Sequence, residues 1–394
     1  MTDFTNKLPI LVSLLISLPK SKNLNRFDMH NDKNNSMSKS LEYFFAGIKS
    51  PATKKNYLSA LKQFRKYYEV KDFDSLLTYE PDELRKMLEQ YVIHEKNKGL
   101  SAKGINVKIA AIKLFFSMND IFIITQKAIK MLPAEKKHGG GKPYPTKQLQ
   151  EILKCLNTRF SLPLKSAVLI IASCGSRVGF AQYLKVKDIG EFEKNGCKSI
   201  LIYSGEIEEY YSFINPETVK VIDEWIEYRK SKGELITKDS WVIPKANDHT
   251  KAIEEGSISA RIHVIIRNVD RGEMIGSRHE ISITHGIRKR WNTVAKDTDG
   301  VNSNKVEKMF GHHSRTIEND TTYYKPDLAK LFKEYEKFSD GLAVSEEAIL
   351  EIQLRNKDKI IEFTHTEKDD RIKKLESRLL KMEEIAFGSS VKWD

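Results

Sequence analysis

The sequence predicts a mostly helical chain carrying one small antiparallel β-sheet. A helical N-terminal domain precedes a mixed α+β domain. Three observations lead there. Apolar residues recur at helical spacing through the first third. A Gly- and Pro-rich segment, Lys136 to Pro145, interrupts that pattern, and two short β-rich runs follow it around a polar turn. The 394 residues suggest two or three domains. Forty per cent hydrophobic residues is enough to build real cores and excludes a wholly disordered chain.

The elements follow in order. Residues 1–38 read as a disordered extension: Leu8 to Pro19 is apolar but too short to span a bilayer, no small-x-small cleavage site follows, and residues 20 to 38 are rich in Lys, Asn and Ser. No membrane anchor is expected. Residues 39–137 read as a helical domain. Ser50-Pro51 opens a helix whose Tyr57, Leu61, Phe64 and Tyr68 form one apolar stripe, with Lys54, Lys55, Lys62, Arg65 and Lys66 off it. A second helix starts at Ser101, with Ile105, Ile109, Ile112 and Phe116 inward and Lys103, Lys108 and Lys113 outward. Residues 138–145 read as a linker, because three glycines and two prolines cannot sustain a helix.

The mixed domain is expected over 146–340. Thr146 is read as the cap of a helix bearing Leu149, Ile152, Leu153 and Leu156, and Ala167 to Ala172 as a buried helix. Ser199–Tyr203 and Tyr210–Ile214 are read as a hairpin, and Glu217–Lys230 and Ser257–Val269 as helices. The tail, 341–394, is charged and helical; Ile372, Leu375, Leu379, Met382 and Ala386 follow a 3-4 spacing that fits either packing on the body or self-association.

Lys+Arg number 66 against 54 Asp+Glu, a formal charge of +12. The excess is uneven. Residues 51–140 hold 17 basic and 10 acidic residues, whereas 344–394 hold 10 basic and 12 acidic. A basic body points to a polyanionic partner, and two basic helix faces in one domain point to DNA. Basic residues such as Lys142 on the linker suit a strap over a phosphate backbone. Lys54, Lys62, Lys103, Lys108 and Lys142 are the candidate DNA contacts. Cys155, Cys174 and Cys197 lack the spacing of a disulfide framework or zinc knuckle, which fits a reduced, intracellular protein.

Four segments carry the candidate chemistry: Ser173-Cys174-Gly175-Ser176-Arg177, Thr284-His285-Gly286-Ile287-Arg288, Met309-Phe310-Gly311-His312-His313, and Thr322-Tyr323-Tyr324-Lys325-Pro326. His285 and Arg288, three apart, share a helix face. Each segment alone is weak. In this order and separation they resemble the tyrosine recombinase (phage integrase) family, over roughly residues 40 to 338. The YYKP ending, the SPAT opening and INVKIAAIKLFF look especially like archaeal integrases.

The resemblance implies a helical core-binding domain, a mixed catalytic domain and a metal- and cofactor-free reaction on double-stranded DNA. It also implies a homotetramer on two DNA sites and a cytoplasmic, nucleoid-associated protein. Arg177 and Arg288 would clamp a phosphate through forked, charge-assisted bonds. His285 and His312 would serve as acid–base and phosphate-orienting groups. The nucleophile would be Tyr324, favoured over Tyr323 by aligning YYKP on the family ending, although either is further from His312 than is usual.

Two departures stand out. Phe180 replaces a glutamate that is common three residues after the first arginine. The hairpin turn, Ser204-Gly205-Glu206-Ile207-Glu208-Glu209, lacks the lysine that protonates the leaving oxygen in the family. Lys198 or Lys194 could substitute only in another alignment of the hairpin. A binding protein of the same fold with weakened catalysis is therefore the alternative. A type IB topoisomerase-like enzyme fits the two-domain layout less well.

Overall fold

The computed structural model describes residues 38–135, 139–276, 278–312 and 327–387, the side chains of 255 and 383–387 excepted. The chain forms two compact units, divided after Lys136. Most of the expected 1–38 extension lies outside the described residues.

The first unit is all helical: α1 (Lys39–Ala46), α2 (Pro51–Tyr67), α3 (Pro81–Asn97), α4 (Ala102–Ser117) and the short α5 (Gln126–Lys130). Local chemistry sets the starts. Ser101 Oγ accepts the Gly104 N–H at 3.2 Å, and Pro51 and Pro81 occupy first positions, where no N–H is needed. The expected stripes face inward: Leu61, Phe64, Ile105, Ile109, Ile112 and Phe116 are buried with Phe44, Leu84, Leu88 and Val92 of α1 and α3.

Lys108 departs from the outward basic face expected of it. Its ammonium binds the buried Glu95 carboxylate, donates to Gln63 at 2.7 Å and lies over the Tyr91 ring. A carboxylate buried on α3 needs a cation, and Lys108 is the residue of α4 that reaches it. Lys103 and Lys62 are exposed, and Lys54 is half-buried with its ammonium 6.0 Å from the Phe45 ring centre.

The second unit contains α6 (Thr146–Cys155), α7 (Leu162–Cys174), β1 (Ile189–Lys194), β2 (Cys197–Ile202), β3 (Tyr210–Ile214) and α8 (Pro216–Ser231). Then come the small pair β4 (Pro244–Lys245) and β5 (Asp248–Ala252), α9 (Glu255–Ile266) and the pair β6 (Met274–Ile275) and β7 (Arg278–His279). Last are α10 (Ile283–Asp297), α11 (Ser303–Met309), α12 (Leu328–Ser339) and α13 (Glu346–Phe387). The main sheet is antiparallel in the order β1-β2-β3, with Ser199 opposite Phe213 and Ile202 opposite Tyr210. The sequence showed β2 and β3 as a hairpin and missed β1, whose GEFEK run is mostly exposed and has no apolar alternation to mark it.

The sheet separates two cores. Ile200, Ile202 and Ile214 pack toward α7 and α8, whose Val168, Ile171 and Ile222 are buried. Cys197 and Phe213 pack on the other face with Trp291, Phe310, Phe332, Tyr335 and Phe338.

Two local readings change. Thr146 is the first residue of α6 rather than its cap; Pro145 holds the cap position, and the Thr146 hydroxyl accepts from Arg290 at 3.1 Å. Residues 139–145 are not a free linker. Gly139 donates to Ile275, Gly140 and Lys142 to the Glu280 carbonyl, and Tyr144, which is buried, to Gly286. Lys142 Nζ pairs with Glu280 at 2.7 Å. Backbone groups that approach other chain must be paired, and this segment meets that requirement by lying along 275–286.

Candidate active site

The site is organised by the C-terminal end of α7. That helix is buried, so water cannot satisfy the carbonyls its last turn leaves unpaired. Side chains from three other elements do so. The Ser173 carbonyl accepts from Trp291 Nε1 of α10 at 2.9 Å and from the Tyr335 hydroxyl of α12 at 3.0 Å. The Cys174 carbonyl accepts from Ser212 Oγ of β3 at 3.0 Å. The Gly175 carbonyl accepts from an Arg288 terminal nitrogen of α10. One helix end thereby gathers α10, α12 and β3.

Gly175 ends α7 in the left-handed conformation (φ +68°), and a Cβ there would sit 2.8 Å from the Trp291 ring. The chain turns at this point and presents Arg177, half-buried, two residues on. Gly311 is equally constrained: its φ is +64°, and a Cβ would overlap the Tyr210 ring.

Arg288 is buried at 5% exposure. Its second terminal nitrogen donates to the Phe310 carbonyl at 2.8 Å, and its guanidinium centre lies 3.6 Å from the Phe310 ring centre. Phe310 in turn stacks on Trp291 with an interplanar angle of 11°. Two carbonyls at the C-terminal ends of α7 and α11 thus oppose the buried charge, as helix dipoles do. Burial still pushes the Arg288 pKa below the usual arginine value; Tyr210 opposes that shift and the nearby positive charge of Arg177 adds to it. An arginine remains protonated under such a shift. Arg177 and Arg288 therefore form a pair of cations close enough to repel, a cost an anion between them would relieve.

His285 is exposed on the first turn of α10, three residues before Arg288. A cleft beside it is lined by His263, Arg271, Arg278 and His279 among others. The sequence reading missed these four: His263 lies on α9, and the other three lie between α9 and α10, where three arginines are balanced by Asp270, Glu273 and Glu280, so local charge gave no signal. His312 stands in T-shaped contact with Phe310, ring centres 4.5 Å apart, and its Nδ1 lies 2.6 Å from Glu307 Oε2. Glu307 also pairs with Lys296 at 2.6 Å. Burial works to raise the Glu307 carboxyl, but Lys296 and His312 outweigh it and hold it below the usual glutamate value. With a carboxylate on Nδ1, the imidazole has Nε2 left for a substrate oxygen.

Tyr323 and Tyr324 lie outside the described residues. The elements that flank them do not: α11 carries Phe310 at its end, and Tyr335 ties α12 to the same helix end as Arg288.

Lys198 is not brought to this site. It faces α8, 4.0 Å from Asp223, opposite Ile214. The Tyr210 end of the sheet is four strand residues away, about 13 Å. Lys194 lies over the Phe332 ring. The β2–β3 loop, residues 203–209, carries Glu206, Glu208 and Glu209; the Glu209 carboxylate accepts the Gly205 N–H at 2.7 Å. Phe180, fully buried, belongs to the α7–α8 core. Arg290 is a buried arginine the sequence did not single out. It donates to the carbonyls of Gly341, Leu342 and Ala343 and so fixes the start of the tail.

Among the described residues no group of three or more His, Cys, Asp or Glu could hold a metal ion, and no helix is long and apolar enough to cross a membrane. The three cysteines are free, and burial pushes the Cys174 thiol up to about 11, which makes it a poor nucleophile.

Residues 41–119 match the phage integrase N-terminal SAM-like domain. No curated protein matches the chain. Among solved structures, XerH site-specific recombinase bound to difH substrate in a pre-cleavage complex is 19% identical, with a TM-score of 0.50, over 80% of this chain and 94% of that one. The Tn1549 transposon integrase in complex with transposon right end DNA is 14% identical, with a TM-score of 0.50, over 76% of this chain and 98% of that one. The same integrase with a circular intermediate DNA gives 15% and 0.52, over 77% and 99%. At these identities the likeness is one of architecture: a helical N-terminal domain followed by a mixed domain built as in the tyrosine recombinases.

Proposed function

We propose that the chain is a site-specific DNA recombinase of the integrase type, similar to archaeal integrases, which cleaves and rejoins double-stranded DNA. The observation that carries this reading is the Arg177–Arg288 pair. One arginine is locked by two helix-end carbonyls, the other is beside it, and a histidine stands on the same helix one turn away. A phosphodiester suits that field, and its charge grows as a nucleophile adds. Forked N–H donors then gain more in the transition state than in the ground state.

In this reading the Tyr324 hydroxyl attacks phosphorus in line. The 3′-phosphotyrosyl bond forms, the 5′ oxygen leaves, and the bond energy is kept for rejoining. His285 and His312 orient the phosphate and move the phenol proton, with Glu307 holding His312. Neither metal nor cofactor is part of the reading. Strand exchange between two DNA sites would use a homotetramer, and a cytoplasmic, nucleoid-associated location belongs to the same proposal.

A second reading has its own observation. The β2–β3 loop offers three glutamates and no lysine to protonate the leaving oxygen. That favours a DNA-binding protein of the same fold with weak cleavage.

Trapping on a nicked suicide substrate separates the two. A covalent protein–DNA adduct is expected from the unmodified protein and from Tyr323→Phe, and none from Tyr324→Phe, which keeps the ring and loses the attacking oxygen. Adduct from Tyr324→Phe but not Tyr323→Phe reverses the assignment. No adduct from any of the three on the proper site supports the binding protein.

A further inference from the structure

The helix α13 runs for 42 residues, about 60 Å, and among the described residues only its start is fastened to the second unit. Glu217 accepts the Val344 and Ser345 N–H groups at 2.9 and 2.8 Å, and Arg355 binds Asp340. From residue 353 to 382 every side chain is exposed. Ile372, Leu375, Leu379 and Met382 are each at least half exposed, although they form one apolar row. A helix with its apolar row in water lacks a partner.

The charges beside that row say which partner. With Ile372 and Leu379 at heptad positions a, and Leu375 and Met382 at d, the flanking g positions are Lys357, Thr364, Arg371 and Arg378. The e positions are Glu362, Asp369, Glu376 and Glu383. Every e residue is acidic and three of four g residues are basic. In a parallel pair of such helices, g meets the e position five residues on in the other copy. Lys357 then faces Glu362, Arg371 faces Glu376 and Arg378 faces Glu383. In an antiparallel pair g meets g and e meets e, so like charges oppose throughout. In the first of these two heptads, Ile372 at a with Leu375 at d also suits two strands. The row is interrupted upstream by Asp358 and His365 at a and Lys368 at d, so the apolar seam is confined to the distal part of the helix.

We propose that α13 is a self-association helix that pairs with α13 of a second copy of this chain as a parallel, in-register coiled coil centred on residues 372–382. Both bodies then lie at the same end of the pair. The pairing needs no DNA and does not depend on the catalytic reading.

The test is sedimentation equilibrium of the full chain without DNA at micromolar concentration. The unmodified protein is expected at twice the mass of one chain. Leu375→Asp with Leu379→Asp should halve that mass while the far-ultraviolet spectrum of the body is kept. Glu376→Arg with Glu383→Arg should dissociate the pair, and so should Arg371→Glu with Arg378→Glu. Mixing these two charge variants should restore a mixed dimer. That arm keeps the test valid if the aspartates disturb the helix itself. Leu375→Cys in a Cys155→Ser background should oxidise to a linked dimer, since in register the two 375 positions meet. A monomeric unmodified protein, a dimer indifferent to the aspartates, or charge variants that fail to complement would each overturn the proposal.

Discussion

Arg288 shows how one residue joins fold and site. Its guanidinium closes the ends of α7 and α11 through the Gly175 and Phe310 carbonyls, and its charge is near enough to that of Arg177 to be repelled by it. A lysine offers one point of charge and cannot bridge both carbonyls. Arg288→Lys should therefore lose stability by about 1–3 kcal/mol, because a buried carbonyl is left unmet. It should also lose cleavage, while Arg177→Lys should lose cleavage with little change in melting. Thermal unfolding and adduct formation measured on both variants check this; unchanged melting for Arg288→Lys would remove the structural part of the claim. Lys103 and Lys108 make a second contrast. The sequence placed both on an outward face of α4, since spacing fixes the angle around a helix but not what the neighbouring helix brings. Glu95 on α3 is what draws Lys108 in. Lys108→Ala should cost about 1–3 kcal/mol, because it leaves that buried carboxylate with only the exposed Lys98 ammonium at 3.4 Å, whereas Lys103→Ala should leave urea unfolding unchanged.

At the scale of elements, the legible parts were those with strong periodicity or clear punctuation. The stripes of α2 and α4, the apolar run of α7 and the Ser50-Pro51 start appear in the structure where the residues place them. β1 was not legible because its side chains are polar and exposed, and the docking of 139–145 was not because its partners, Ile275, Glu280 and Gly286, are remote in the chain. Glu334 on α12 is another long-range feature. It accepts the Asn302 N–H at the start of α11 and pairs with Lys305 and Lys337. Burial works to raise its carboxyl, but Lys337, the Asn302 N–H and Lys305 outweigh that and bring the pKa down to about 2. A depressed carboxyl stabilises the fold above its unfolded value, near 4.5, and that contribution is lost as pH falls through about 2. Glu334→Gln should then destabilise by roughly 3 kcal/mol at neutral pH. The gap between variant and parent should narrow steadily below the unfolded value. Denaturant titrations across that range read it, and a gap that does not vary with pH would refute the pairing.

For the whole molecule, the order of the Arg, His-x-x-Arg, Gly-His and Tyr-Tyr segments is written in the sequence itself. The reason Arg177 and Arg288, over a hundred residues apart, come together is not: it lies in the unpaired carbonyls of one buried helix end. The proposed DNA partner has a consequence at this scale too. The positive excess lies in the body, on exposed residues such as Lys62 and Lys103, and not in the near-neutral tail. Contacts of that kind neutralise phosphates and release counterions, so log affinity for duplex should fall linearly with log salt, at about 0.9 per phosphate contacted. Lys103→Ala should lower the slope by about 1 and weaken binding to every sequence alike, since a phosphate contact carries no base information. Lys142 should contribute less than its exposure suggests, because its ammonium must first leave Glu280. Removing α13 from residue 353 onward should leave the slope nearly intact, as basic and acidic residues almost balance in that segment. Fluorescence anisotropy of duplex binding at several salt concentrations tests all four statements together. An affinity indifferent to salt would sink the DNA partner itself, and a slope that collapses only when α13 is removed would move the contact surface from the body to the tail.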